Sequence, residues 1–367
     1  MIEITGTLQR QAWMDKRLPP VERLDGGLWS VPVVFPNNPM RYTLSYVMVD
    51  GGDCLVIDPG FDSDEGYAQL AAALERIGPG ISGVTGVFAT HYHTDHLGMA
   101  RRLADAAGTW VAVGRRDRDV LRGYGEPAEA LEADLLQYRS WGVPEEQLAE
   151  VLLPRLAFER IREEAAVDRV LDGGEELPVG SRILRTEATP GHTPGHLMLW
   201  DDAARLVLSG DHILPRITPN VSLVPHEHPD PLRSYLTSLE RTAEAEDHEV
   251  LPAHEYRFKG IGRRARALRA HSMERLDEVL AALAAQTDPT VYTVAGRIGW
   301  SRGWDSLGGF QLRIALSETA AHIQYLATSG LHSGVPGLPA VPDEPGVPGV
   351  PGVPVTAASG FRTSAAE

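Results

Sequence analysis

The chain has 367 residues, more than one average domain needs and fewer than three would. Its hydrophobic share of 43% and charged share of 23% are those of a soluble globular protein, and no apolar run approaches the roughly 18 residues of a membrane helix, so no membrane partner is expected. The formal charge of −16 disfavours nucleic acid, although a local basic patch could override it. The single cysteine, Cys54, excludes an intramolecular disulfide. It lies in the apolar run 54–57, where a small core residue is expected rather than a thiol nucleophile. The N-terminus shows no basic stretch followed by an apolar core, and with the lone cysteine this points to the reducing cytoplasm.

Residues 1–26 are mixed and polar and read as an N-terminal arm with partial structure. Three short apolar runs follow, at 28–35, 43–49 and 54–57. With Gly51-Gly52 before the third, they read as a strand meander, closed by Asp58-Pro59-Gly60. Residues 64–77 carry apolar positions on one face and stop at Gly78-Pro79-Gly80, so a helix is expected there. A buried strand is expected over 83–90, a helix from 97 to 107 and a strand over 109–113.

Between the 83–90 strand and the 97–107 helix lies His91-Tyr92-His93-Thr94-Asp95-His96. Three imidazoles and a carboxylate within six residues are costly to crowd together for packing alone. They are zinc-ligand types, which bond at about 2.0–2.2 Å. A strand-to-helix junction is also where α/β proteins place their sites. Tyr92 and Thr94 are expected to point away from the ligands, into packing.

Residues 115–166 change character. They are rich in Arg, Glu, Ala and Leu, and are broken at Gly125-Glu126-Pro127 and Gly142-Val143-Pro144. Two or three inserted helices are expected, as a wall over the metal edge or as a surface elaboration. Strands at 169–171 and 182–186 then flank a turn. In Thr189-Pro190-Gly191-His192-Thr193-Pro194-Gly195-His196, two prolines and two glycines shape a loop suited to presenting a side chain rigidly. Strands 197–200 and 206–209 flank a hairpin and run into Gly210-Asp211-His212. A short strand at 250–251 ends in Pro252-Ala253-His254-Glu255-Tyr256. Four strand ends thus deliver ligand-type residues: the hexapeptide, His192, Asp211 and His254. His196 is expected to support the ligands rather than to be one, and His212 to lie behind them or in solvent.

The H-x-H-x-D-H run, the T-P-G-H-T-P-G-H loop, the S-G-D strand end and the A-H-E-Y ending together resemble the metallo-β-lactamase-fold hydrolases, over residues from about 27 to 256. The resemblance implies an α/β fold, a four-layer αββα sandwich with two mixed sheets face to face and helices outside. It implies a first metal held by His91, His93 and His192, a second held by Asp95, His96 and His254, and Asp211 bridging both. The implied cofactor is two zinc ions per chain, with iron or manganese as alternatives. The implied chemistry is a hydrolase in which ions about 3.5–4 Å apart share a hydroxide that attacks a carbonyl or phosphoryl centre. Asp95 would be the catalytic carboxylate that orients it and carries protons. Substrate is not implied, because this fold hosts many chemistries.

After His254 a long helix is expected over 260–285, a strand within 288–295 and a helix over 312–328. This helix–strand–helix pattern, with the 317–323 stretch, is similar to a small C-terminal winged-helix-like domain found in one branch of the superfamily. That branch includes single-strand-selective endoribonucleases and acyl-carrier-protein thioesterases. The implied plan is an arm (1–26), a catalytic domain (27–258) with its insertion (115–166), the appendage (259–330), and a disordered Pro/Gly-rich tail (331–367). Arg263, Arg266 and Arg269 can line one stripe of the long helix with Arg264 beside it, either recognising phosphate or balancing nearby acids as a solvated face.

Glyoxalase II is similar in the loop and the ending, but its Lys/Tyr glutathione pattern after the bridging Asp is absent from residues 212–220. Zinc β-lactamases lack such an appendage. The expected activity is hydrolysis of a small-molecule acyl ester or thioester. The rivals are phosphodiester cleavage of single-stranded RNA, iron-dependent persulfide oxidation, in which Asp95, His96 and His254 would not all be ligands, and a non-catalytic binding module, which the intact ligand set opposes. Deleting residues 331–367 is expected to leave melting temperature and activity unchanged, as scanning calorimetry and a hydrolysis assay would check.

Overall fold

The computed structural model describes residues 2–123, 127–152, 167–224, 228–245 and 248–330, with the backbone alone over 127–130. The expected tail at 331–367 and part of the 115–166 insertion lie outside the described residues.

Two seven-stranded sheets form the centre. In the first, β2 (Glu22–Arg23), β3 (Leu28–Val34), β4 (Tyr42–Asp50) and β5 (Asp53–Ile57) run antiparallel, which is the expected meander. The sheet continues in parallel through β6 (Gly86–Phe88), β7 (Val111–Gly114) and β8 (Arg169–Leu171). Parallel neighbours need crossovers. After α1 (Thr7–Met14) near the N-terminus, these are α2 (Asp64–Ile77) between β5 and β6, and α3 (Thr94–Leu97) with α4 (Ala100–Ala107) between β6 and β7. The start of α2 is set by Ser63, whose side chain accepts from the Gly66 amide, and its end by Gly78 at φ 126°.

The second sheet holds β1 (Glu3–Ile4), β9 (Glu176–Val179), β10 (Arg182–Ala188), β11 (Leu197–Asp201), β12 (Leu206–Gly210), β13 (Glu249–Pro252) and β14 (Phe258–Lys259) in the order β1-β14-β13-β12-β11-β10-β9. Residues 169–171 and 182–186 do not flank one turn: β8 closes the first sheet, and β10 pairs with β9. The missed strand, Glu176-Leu177-Pro178-Val179, alternates exposed and buried, and its proline is tolerated because β9 is the sheet's edge.

Strand alternation divides the apolar residues among three cores. Val56, Val87 and Val111 meet Leu70, Leu74 and Leu103 of the outer helices. Their neighbours Ile57, Phe88 and Ala112 face Leu184, Leu199, Leu208 and Leu251 between the sheets. Behind the second sheet, Met198, Val207 and Val250 pack on helices. Each fully buried aliphatic side chain contributes about 1.5–3 kcal/mol. The result is the expected αββα order of layers.

The outer layer of the second sheet contains α8 (Pro231–Thr242), α9 (Ile261–Ala284), α10 (Val291–Ala295) and α11 (Gly309–Ser329). Their Leu239, Leu268, Val291 and Leu316 share one core with Val207 and Val250 of the sheet. The strand expected within 288–295 is instead helix α10. Thr290 caps it, accepting from the Thr293 amide while the Thr293 hydroxyl accepts from the Thr290 amide. The β-branched run was the misleading signal; the cap decided the helix. Among the described residues 261–330 there is no strand, so no wing is present there.

The insertion contributes α5 (Arg115–Gly123), α6 (Pro127–Ser140) and α7 (Glu145–Leu152). Asp134 on α6 pairs with Arg313 of α11, and Glu150 on α7 accepts from the Gly309 amide, so these two helices buttress α11. β4 ties the sheets together: the Tyr46 hydroxyl donates to the Pro252 carbonyl, the Tyr42 hydroxyl to that of Glu255, and the Leu44 amide to that of Ala253.

The end of β7 approaches the 189–196 loop so closely that a Cβ on Gly114 would meet the Gly195 carbonyl oxygen at 1.9 Å. Gly114→Ala is therefore expected to lower stability by about 1–3 kcal/mol through forced backbone displacement, measured by urea denaturation.

Candidate metal centre

All seven expected ligand-type residues converge. His91 and His93 follow β6, and Asp95 and His96 lie on α3. His192 sits in the loop between β10 and β11, Asp211 follows β12, and His254 follows β13. Their donor atoms form three overlapping groups, each within 4.8 Å: His91, His93 and His192; Asp95, His96 and His254; and His91, His96 and Asp211. In the first group, His91 Nε2 and His192 Nε2 lie 3.0 and 3.1 Å from His93 Nδ1. In the second, His254 Nε2 lies 3.2 Å and His96 Nε2 3.7 Å from Asp95 Oδ2. Asp211 stands between the groups. Its Oδ2 is 3.6 Å from His192 Nε2 and 3.7 Å from His96 Nε2, and its Oδ1 is 3.4 Å from His254 Nε2.

Backbone and side-chain acceptors aim these rings. His192 Nδ1 donates to the Asn220 carbonyl and His254 Nδ1 to that of Tyr42. His96 Nδ1 donates to Asp58 Oδ2. The Thr90 hydroxyl also donates to Asp58 Oδ2, so its oxygen is left to accept from His91 Nδ1. One buried carboxylate thus fixes the tautomers of two rings and turns both Nε2 atoms inward. Asp58 also accepts from the Thr90 amide, and it reaches this position in the left-handed region at φ 50°.

A second buried carboxylate, Asp117 on α5, accepts from the Tyr92 amide, the Thr193 hydroxyl and the Gly195 amide. It locks the hexapeptide to the His192 loop. The sequence reading missed both acids. Asp58-Pro59-Gly60 after an apolar strand was a usable signal for the first. Asp117 had none, because only the fold brings α5 beneath the site.

His196 behaves as expected. Its Nε2 accepts from the Asp211 amide and its Nδ1 donates to the Thr189 hydroxyl, so it supports the loop without joining a donor group. His212 is buried rather than exposed, hydrogen-bonded to Thr242. Tyr92 packs in the core as expected.

The centre's electrostatics divide in two. Burial, reinforced by neighbouring imidazoles, pushes His91 well below the usual histidine range and His93 down to about 3; burial also lowers His192. These three are neutral, with lone pairs to offer. Burial alone would also lower His254 and His96, but Asp211 and Asp95 outweigh it for His254, raising it to about 10. Asp95, Asp58 and Asp211 do the same for His96. Burial would raise the Asp95 carboxyl; His96 and His254 instead bring it to about 2, and Asp211 is likewise held well below its usual range. Divalent cations fit this donor set. Ionised carboxylates and imidazole nitrogens converge out of water, and His96 Nε2 and Asp211 Oδ1 are buried without a hydrogen-bond partner. Cations would compete there with the protons on His96 and His254.

The arginine stripe is engaged elsewhere. Arg264 donates to the carbonyls of Leu214, Arg216 and Ile217, fastening the segment after Asp211. Arg266 donates to the Ala243 carbonyl and Arg269 to Glu240.

Replacing Asp58 by Asn keeps an acceptor for Thr90 but removes the charge behind His96. Asp58→Asn is expected to weaken metal binding by about 10–100-fold with the fold retained, measured by competition with a chromophoric chelator and by circular dichroism.

The family model described as the metallo-beta-lactamase superfamily matches residues 39–254. A hydroxyacylglutathione hydrolase of Anaeromyxobacter dehalogenans is 28% identical over 69% of this chain and 77% of its own length. A probable metallo-hydrolase of Burkholderia pseudomallei is 29% identical over 43% of this chain, and the match spans only 47% of that relative. The crystal structure of a metallo-beta-lactamase family protein from Thermus thermophilus superposes with a TM-score of 0.70 at 26% identity, covering 83% of this chain and 94% of that one. With its two-sheet fold, its convergent donor set and a family match over more than half its length, the chain belongs to the metallo-beta-lactamase superfamily of metallo-hydrolases.

Proposed function

We propose that the protein is a binuclear, zinc-dependent hydrolase of small-molecule acyl esters or thioesters, with residues 27–258 as its catalytic unit. The observation that carries this reading is the overlap of the three donor groups: the group of His91, His96 and Asp211 shares His91 with one neighbour and His96 with the other, which favours two ions over one. His91, His93 and His192 would hold one ion, Asp95, His96 and His254 the other, and Asp211 both. Bound there, such ions would supply Lewis-acid activation of water and polarisation of a carbonyl oxygen.

The chain's own groups do the rest. Asp95, ionised across the neutral range, orients the attacking water and passes a proton toward the leaving atom. Its position is held by the Thr43 hydroxyl, which donates to the Asp95 carbonyl. Asp58 keeps His91 and His96 from rotating away. The similarity to hydroxyacylglutathione hydrolases favours a thioester, while the net charge of −16 counts against RNA.

The test is hydrolysis of acyl thioesters, acyl esters and a single-stranded RNA by one zinc-loaded preparation, with metal content measured in parallel. Thioester turnover with two zinc ions per chain is the expected result. His91→Ala and Asp211→Ala should abolish it and lower bound metal without unfolding the protein. RNA cleavage alone would make the enzyme a nuclease, a single iron with persulfide oxidation would make it a dioxygenase, and full metal and full rate in Asp211→Ala would refute the binuclear assignment.

A further inference from the structure

A cleft of about 570 Å³ is built on chain segments that adjoin Tyr42 and His254, is lined by none of the seven donor residues and takes no part in the chemistry above. It is lined by Arg10, Lys16, Arg41 and Arg216 around Trp13 and Tyr256, and among the described residues no acidic one lines it. On a chain of net charge −16, four cations gathered in one cleft are not the expectation of a random surface.

The cleft and the centre share backbone. Arg41 precedes Tyr42, whose carbonyl accepts from His254 Nδ1. Tyr256 is two residues after His254. Arg216 pairs at 2.9 Å with the buried Glu255, the residue next to His254. Two of the residues that shape this edge, Arg41 at φ 68° and Glu255 at φ 70°, hold left-handed backbone that non-glycine residues rarely adopt, the kind of strain that gathers at ligand sites.

The cations are only partly satisfied by the protein. Arg41 lies over the Trp13 ring at 4.1 Å and donates Nη2 to the Trp13 carbonyl, while its Nη1 is buried with no hydrogen-bond partner. Arg10 and Lys16 have no side-chain partner among the described residues, and both are exposed. Guanidinium forks and an ammonium on an aromatic wall match phosphate oxygens carried near a planar ring.

We propose that this cleft binds the phosphate-bearing, nucleotide-like end of a thiol carrier whose acyl thioester is the substrate. The proposal rests on the acyl-hydrolase reading above and names its substrate class. A cleft of this size suits a small molecule, whereas an RNA chain would need a longer basic track than these side chains provide.

Two measurements test it. The first is calorimetric binding of inorganic pyrophosphate and of coenzyme A to the full chain, wild type against the Arg10→Gln/Lys16→Gln double variant, with folding checked by melting temperature. Both probes should bind competitively, and the double variant should weaken each by at least about tenfold. The second is the ratio of kcat/KM for acetyl-coenzyme A to that for acetyl-pantetheine, which lacks the phosphates. The ratio should exceed about ten in the wild type, through KM rather than kcat, and collapse in the double variant.

Equal probe affinity in wild type and variant, or no binding of either probe at millimolar concentration, overturns the proposal. So does a single-stranded RNA oligomer that displaces coenzyme A more tightly than pyrophosphate does. Pyrophosphate bound through Arg10 and Lys16 with no thioester hydrolysed keeps the anion site and removes the hydrolase reading. Thioesters hydrolysed with a ratio near one do the reverse.

Discussion

Two carboxylates, the buried Asp211 and the largely enclosed Asp95, stand a few ångströms from five imidazoles, and the rest of the structure serves that arrangement. Neither acid can be left alone out of water, since an isolated ionised carboxylate in a low-dielectric interior is prohibitively unfavourable. Their charge is met by His96 and His254, whose proton affinities rise in response. The remaining three rings are neutral because burial outweighs the pull of the nearby carboxylates. A site of this kind persists only if its rings and carboxylates are aimed from behind, and Asp58, Thr90, His196 and the Asn220 and Tyr42 carbonyls supply that aim.

The sandwich makes such aiming feasible. Strand ends from two sheets meet at one edge, so ligands far apart in sequence arrive on rigid elements rather than on a single loop. The β4 tyrosines cross between sheets to hold the strand end that carries His254. Asp117 joins the hexapeptide to the His192 loop from a helix of the insertion. The glycines of this region answer to the same geometry: at Gly210, φ is 48°, and a side chain would press on Thr90 and His196, the two groups that hold His91 and Asp211.

Much of this was legible in the residues. The hexapeptide, the His192 loop, Asp211 and His254 each announce themselves by residue type at the end of an apolar strand, and all seven side chains do converge. The meander and the helix after it follow from alternation and Gly/Pro punctuation. The errors have identifiable causes. Val291-Tyr292-Thr293-Val294 has strand composition, yet a local cap made it a helix. The strand at 176–179 was hidden by its proline, which an edge position tolerates. The arginine stripe read either as a phosphate site or as a solvated face balancing acids; Arg269 pairs with Glu240, and Arg264 donates to the carbonyls of residues 214, 216 and 217.

The sequence by itself determined which ligand-type residues stand at the strand ends and the absence of an intramolecular disulfide, because residue type and short-range periodicity carry that information; the two-sheet framework was implied by the family resemblance. Only the tertiary structure decided which acids stand behind the ligands, that the C-terminal helices share a core with the second sheet, and that Arg10, Lys16, Arg41 and Arg216 gather in one cleft. Those are mostly contacts between residues tens or hundreds of positions apart, and neither period nor motif encodes them. They arise when the sheets close on each other and buried polar groups must find whichever partners the closed fold brings within reach.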